Sequence, residues 1–144
     1  MQETDGHLSI NADFDNLAPV KSFVRRQAMD LMAPELLLSK LELVVEEVFL
    51  NIVNHSCPTP KTSVDISCSK QSVGDAADEM FCISVQDWGP PFNPLANESP
   101  ALEEDVESRP IGGLGVFLVL QMTDHCTYTR EDDSNIFSAC LQMK

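Results

Sequence analysis

Basic residues are scarce in this chain of 144 residues. Nine Lys and Arg face 23 Asp and Glu, a formal net charge of −14, which repels nucleic acid and anionic membrane surfaces at long range. Neither is expected as a partner. Long apolar runs are missing as well: no stretch reaches about 18 consecutive apolar residues, and the opening, MQETDGHLSI, lacks the basic and apolar regions of a signal peptide. The expected location is the cytoplasm. Cysteines at metal-ligand spacing are also lacking. Cys57, Cys68, Cys82, Cys126 and Cys140 make an odd number, and no pair is separated by two residues, so all five are expected as reduced packing residues. Internal repeats are absent.

Material for a core is present. With 43% hydrophobic residues, residues 1–144 are expected to form one domain. In HLSINADF, residues 7–14, Leu8, Ile10, Ala12 and Phe14 alternate with polar partners, the period of a half-buried strand. Val20, Phe23, Val24, Ala28, Leu31 and Met32 then recur at helical spacing, and that helix has to end before Pro34. A second helix is expected over about 36–55, stopped near Pro58 and Pro60. TSVDISCSK and MFCISVQDW alternate Val64, Ile66, Cys68 and Phe81, Ile83, Val85, two strands that read as sheet neighbours across the loop SVGDAADE.

From Gly89 to Pro110 the prolines and the acids Glu103, Glu104, Asp105 and Glu107 leave no periodicity, as in a lid or binding loop. GGLGVFLVLQM reads as glycine turns opening an apolar helix, and CTYTREDDSNIFSACLQMK as a hairpin turning at DDSN. Strands on both sides of a helical block give an α+β, two-layer sandwich: one mostly antiparallel mixed sheet with helices on one face.

Three features interrupt this pattern with chemistry. EEVFLNIVNHS, residues 46–56, carries Glu47, Asn51 and His55 every four residues, so a helix stacks them on one stripe. A solvent-facing side would explain such a stripe. However, Glu42, Glu46 and Asn54 already supply a polar face, and Glu46 lies about 100° away around the helix. A carboxylate and an amide one turn apart offer a base and a hard oxygen ligand, suited to Mg²⁺ with phosphate. DWGPPFNP, residues 87–94, sets an acid at a strand end with glycine two residues on. A plain turn accounts for the glycine and prolines, whereas the leading carboxylate suits an exocyclic amino group and the glycine a closely approaching ring. RPIGGLGVFLV, residues 109–119, feeds a glycine-rich loop into a helix N-terminus. It reads equally as a turn before a core helix or as a set of backbone donors for an anion, with Arg109 alongside.

Order and spacing of the three together resemble the N, G1 and G2 boxes of the histidine-kinase-like ATPase superfamily, the Bergerat ATP-binding fold. EEVFLNIVNH, DWGPPFNP and GGLGVFLVLQMTDHCTYTRED are most similar to those of stand-alone bacterial anti-sigma-factor serine/threonine kinases. The resemblance covers nearly the whole chain. It implies Glu47 as general base, Asn51 as ligand of Mg²⁺ bridging the phosphates, and His55 near the phosphate side. It further implies Asp87 on the adenine amino group, with Gly89 beside the ring, and Phe92 among the ATP-binding residues. Arg109, Gly112, Gly113, Leu114 and Gly115 would then border the phosphates, and about 94–111 would be the ATP lid. Trp88, Ser56, Cys57 and the acidity of the lid depart from the subfamily's pattern.

The implied activity is transfer of the ATP γ-phosphoryl group to a serine or threonine of a STAS-domain anti-sigma-factor antagonist, with sequestration of a sigma factor. A second copy of the chain is also among the implied partners. The alternative is a nucleotide-gated binding protein of the same fold that sequesters a partner without kinase activity. Sensor histidine kinases add a dimerisation domain carrying the acceptor histidine, and gyrase-like or chaperone-like ATPases add a transducer segment. This chain shows neither.

Overall fold

The structure, a computed structural model, describes residues 2–4, 6–56, 62–72, 79–91, 93, 119 and 121–143. The chain opens with a hairpin of β1 (Gln2–Thr4) and β2 (His7–Asn11), in which Gln2 pairs with Ser9 and Thr4 with His7. Gly6, at φ 81°, makes the reversal without Cβ strain. The strand expected over 7–14 stops early. The Asp13 carboxylate accepts from the Asp15 N–H at 2.9 Å and turns Phe14–Asn16 into a single 3₁₀ turn. This local side-chain cap overrides the alternation, and Phe14, expected inside, is exposed.

Helix α1 (Leu17–Asp30) buries Val20, Phe23, Val24 and Ala28 as their spacing predicts. It ends four residues ahead of Pro34, in a Schellman arrangement: the Ala33 N–H donates to the Ala28 carbonyl at 2.8 Å and the Met32 N–H to that of Met29 at 3.0 Å. Met32 therefore sits in the left-handed region, φ 64°, and its side chain is 84% exposed instead of joining the apolar face. Helix α2 (Glu35–Asn51) sends Leu37, Leu38, Leu41, Val45 and Phe49 into the core. Beyond Asn51 the backbone continues as a π-helix, Ile52–Ser56. The α-helix expected over about 36–55 therefore ends at Asn51, and a wider i→i+5 turn takes over from Ile52.

Strands β3 (Ser63–Ser72), β4 (Glu79–Asp87), β5 (His125–Glu131) and β6 (Ser134–Gln142) complete a six-stranded sheet of order β1-β2-β3-β4-β6-β5. All five described pairings are antiparallel. Leu8, Ile10, Val64, Ile66, Phe81, Ile83, Val85 and Leu141 close the core against both helices, giving the two-layer α+β arrangement. A second cluster joins Val44 of α2 and Val119 to Phe137 and Ala139 of β6. The β5–β6 hairpin turns at Asp132 and Asp133, φ 50° and 63°, between the paired Glu131 and Ser134. A two-residue turn with both residues left-handed matches strand twist, and aspartate tolerates it.

One expectation about cysteine is overturned. Cys82 and Cys140 stand directly opposite each other in the β4–β6 register and are joined by a disulfide. They share the sheet face away from the helix-facing core residues, and 58 residues of intervening chain conceal that proximity in the sequence. Cys68 and Cys126 are free thiols, and burial pushes Cys68 up to about 12, leaving it an inert packing group. Cys57 lies outside the described residues. Among those residues no helix is long and apolar enough to cross a membrane.

Candidate functional site

Strand β4 presents Phe81, Ile83, Val85 and finally Asp87 to the helix side of the sheet, so an apolar row ends in a carboxylate. Asp87 is only 3% exposed. Its Oδ1 accepts from the Gly89 N–H at 3.0 Å and from Asn135 Nδ2 at 3.1 Å. Among the described residues nothing bonds Oδ2. Burial lifts the carboxyl above its ordinary 3.8, with the Asn135 and Gly89 hydrogen bonds and the Arg130 charge pulling the other way. The result is a buried acceptor with one oxygen fixed and one available. Trp88, next in the chain, is 43% exposed.

Asn135 faces Asp87 in the β4–β6 register. Its Nδ2 also donates to the Pro90 carbonyl at 2.9 Å, and its Oδ1 accepts from the Tyr128 hydroxyl at 2.6 Å. Arg130 Nη1 donates to the Gly89 carbonyl at 2.8 Å. The turn after β4 is thus strapped to the β5–β6 hairpin by three side chains that the sequence analysis does not single out. One signal was there to be read: in SNIFSACL, Asn135 takes the inward phase shared by Phe137, Ala139 and Leu141, where an amide is out of place.

On α2 the structure separates two polar stripes. Glu42 pairs with Arg25 of α1 at 2.9 Å and Glu46 with Lys21 at 3.5 Å, so these acids form the α1–α2 seam. Glu47 and Asn51 take no part in it. Asn51 is 8% exposed, yet its amide has no hydrogen-bond partner among the described residues. Glu47 is half-buried, and desolvation followed by the Glu46 charge raises it above the ordinary 4.5. Val48, between them, packs against the cluster of Val44, Val119, Phe137 and Ala139. Phe137 is two residues from Asn135 on the same sheet face, which ties the stripe to the Asp87 side of the molecule.

Asp87 and Gly89 are therefore brought together, and Glu47 and Asn51 share one stripe. His55 lies in the π-helix, its side chain outside the described residues, as are Phe92, Arg109, Gly112, Gly113, Leu114, Gly115 and the lid span 94–111. Among the described residues no group of three or more His, Cys, Asp or Glu could hold a metal ion. Asn51, whose amide has no hydrogen-bond partner among the described residues, offers one hard oxygen that could serve a cation held with phosphate.

The comparisons with known proteins bear on the family and the fold. Residues 10–141 match the family model described as histidine kinase-like ATPase domain. A comparison with curated proteins finds no match. Among solved structures, the crystal structure of the RsbU and RsbW domains of Rv1364c from Mycobacterium tuberculosis is similar, with a TM-score of 0.65 over 95% of this chain at 13% identity. The match spans 32% of that longer chain. At this identity the likeness is one of fold.

Proposed function

Because this chain belongs to the histidine kinase-like ATPase domain family, we propose that it is an ATP-binding regulatory kinase. In this reading it transfers the γ-phosphoryl group to a serine or threonine of a STAS-domain anti-sigma-factor antagonist and sequesters a sigma factor. The observation that carries the reading is a set of two buried polar groups, Asp87 at Oδ2 and Asn51 at its amide, with no hydrogen-bond partner among the described residues. A nucleotide and its cation would supply a partner to each. The RsbW domain in the similar structure supports the regulatory part of the reading.

In this reading Asp87 accepts from the adenine amino group, and Gly89, its N–H held on Asp87 Oδ1, keeps the backbone low enough for the ring. Asn51 would hold Mg²⁺ through its side-chain oxygen. Bound Mg²⁺ supplies charge neutralisation across the phosphates. Glu47, one turn before Asn51, takes the proton of the attacking hydroxyl. Burial and the Glu46 charge raise its pKa, which makes it a better proton acceptor when ionised than an exposed carboxylate. Catalysis is then mostly positioning of the hydroxyl and phosphoryl group.

The test is incubation with γ-labelled ATP, Mg²⁺ and the STAS-domain proteins of the source organism. Label on a serine or threonine of one of them is expected. An ATP-dependent complex without label would favour the nucleotide-gated binding protein instead, and the absence of both label and complex would sink both readings.

A further inference from the structure

Polarity fixes the orientation of the Asn135 amide. The Pro90 carbonyl and an ionised Asp87 can only accept, so the nitrogen end has to face them, and its two hydrogens go to Pro90 O at 2.9 Å and Asp87 Oδ1 at 3.1 Å. The oxygen end then needs a donor, which the Tyr128 hydroxyl supplies at 2.6 Å. With the Gly89 N–H also on Oδ1, turning the Asp87 carboxylate would break two hydrogen bonds at once. Arg130 of β5, bonded to the Gly89 carbonyl, adds a positive charge that favours the ionised carboxylate. Val64, paired with Asp87 from β3, is apolar and offers no competing donor. One carboxylate oxygen is consumed by the protein, and the other is held out as a pure acceptor.

We propose that Asn135, oriented by Tyr128, is a positioning residue that sets base selectivity: it holds Asp87 so that Oδ2 meets an exocyclic amino group and rejects a ring carbonyl. The inference rests on the nucleotide reading above. Adenine carries an amino group at the relevant ring position, whereas hypoxanthine and guanine carry an oxygen that would face Oδ2 lone pair to lone pair. Sites that mispair a buried polar group in this way discriminate strongly. The selectivity is thus set from the β5–β6 hairpin, through side chains that stand behind the carboxylate.

The experiment is calorimetric titration of the wild type, Asn135→Asp and Tyr128→Phe with Mg-ADP and Mg-IDP, read as the ratio of the two affinities. The wild type is expected to prefer ADP. Asn135→Asp places a second carboxyl within hydrogen-bond reach of Asp87, the pair shares a proton, and the site gains a donor, so the preference should fall at least about tenfold. Tyr128→Phe removes one hydrogen bond and should lower the ratio about two- to tenfold. A merely structural role would weaken both nucleotides by one factor and leave the ratio alone. An unchanged ratio in folded Asn135→Asp overturns the inference, and Tyr128→Phe decides the matter in the same way should Asn135→Asp not fold. A wild type that binds ADP and IDP equally overturns it while the nucleotide reading stands. A wild type that binds neither overturns both.

Discussion

A carboxylate buried at the end of an apolar strand face destabilises the empty protein, and Asp87 is such a group. Its pKa is raised on folding, so its favourable contribution is present below the ordinary 3.8 and is lost as pH rises through the folded value. Adenine binding needs the opposite, the ionised form. Over that acidic window the stabilisation given by Mg-ADP should therefore grow with pH while this group's contribution to the empty protein shrinks. Melting curves with and without nucleotide check this, and a nucleotide effect that is flat through the window would contradict it.

Glu47 allows a sharper separation of binding from chemistry. Glu47→Gln keeps the shape and removes the base, so it should retain nucleotide-induced stabilisation yet lose about 10²–10⁴-fold in transfer rate. Glu46→Gln, which breaks the pair with Lys21 and removes one of the two causes that raise Glu47, should keep the stabilisation and most of the rate, and transfer at the wild-type rate by Glu47→Gln would end its assignment as base. That Glu47 and Asn51 share a helix stripe and that Asp87 ends a strand was legible because each motif lies within a few consecutive residues. Asn135 contacts Asp87 across 48 residues, and only the β4–β6 register, which alternation does not specify, reveals it.

Among the elements, period and punctuation were read well where no side chain competed with them. α1, the core faces of β3 and β4, and the hairpin at Asp132–Asp133 follow their patterns. The failures have local causes: the Asp13 cap ended the first strand, and the Schellman turn carried Met32 out of the core. That turn yields a stability test. A left-handed residue with a Cβ costs roughly 1–2 kcal/mol, part of which glycine gives back through unfolded-chain entropy. Met32→Gly should therefore stabilise the protein by up to about 1 kcal/mol, raising Tm by about 2–4 °C. A lower Tm would show that the exposed methionine makes a stabilising contact.

The β4–β6 disulfide is a second test at this scale. Peptide mapping without reductant should recover Cys82 joined to Cys140. Closing a 58-residue separation contributes at most roughly 4 kcal/mol in the chain-entropy picture, so reductant should lower the denaturation midpoint. Two alkylatable thiols at these positions in unreduced protein would contradict the bond.

For the molecule as a whole, the net charge of −14 sets the terms on which a triphosphate can bind. Surface bases are few, and among the described residues Lys21, Arg25, Arg26 and Lys70 are already paired with acids, so these four do not form a free basic surface for a polyanion. The α+β class, a mostly antiparallel sheet and the helix layer were legible from alternation and helix spacing. The closure of the adenine-side turn by the far hairpin was not, because it depends on how the sheet is ordered.

The measurement that bears most directly on this account is the thermal stability of the wild type and of Asp87→Asn with Mg-ADP. At 100 times its Kd a ligand adds about 2.7 kcal/mol, a shift of several degrees for the wild type. In Asp87→Asn the Gly89 and Asn135 donors would still hold the amide oxygen, turning its NH₂ toward the adenine amino group, donor against donor, so most of the shift should vanish. No shift of the wild type at millimolar nucleotide, or an equal shift in Asp87→Asn, would contradict the account.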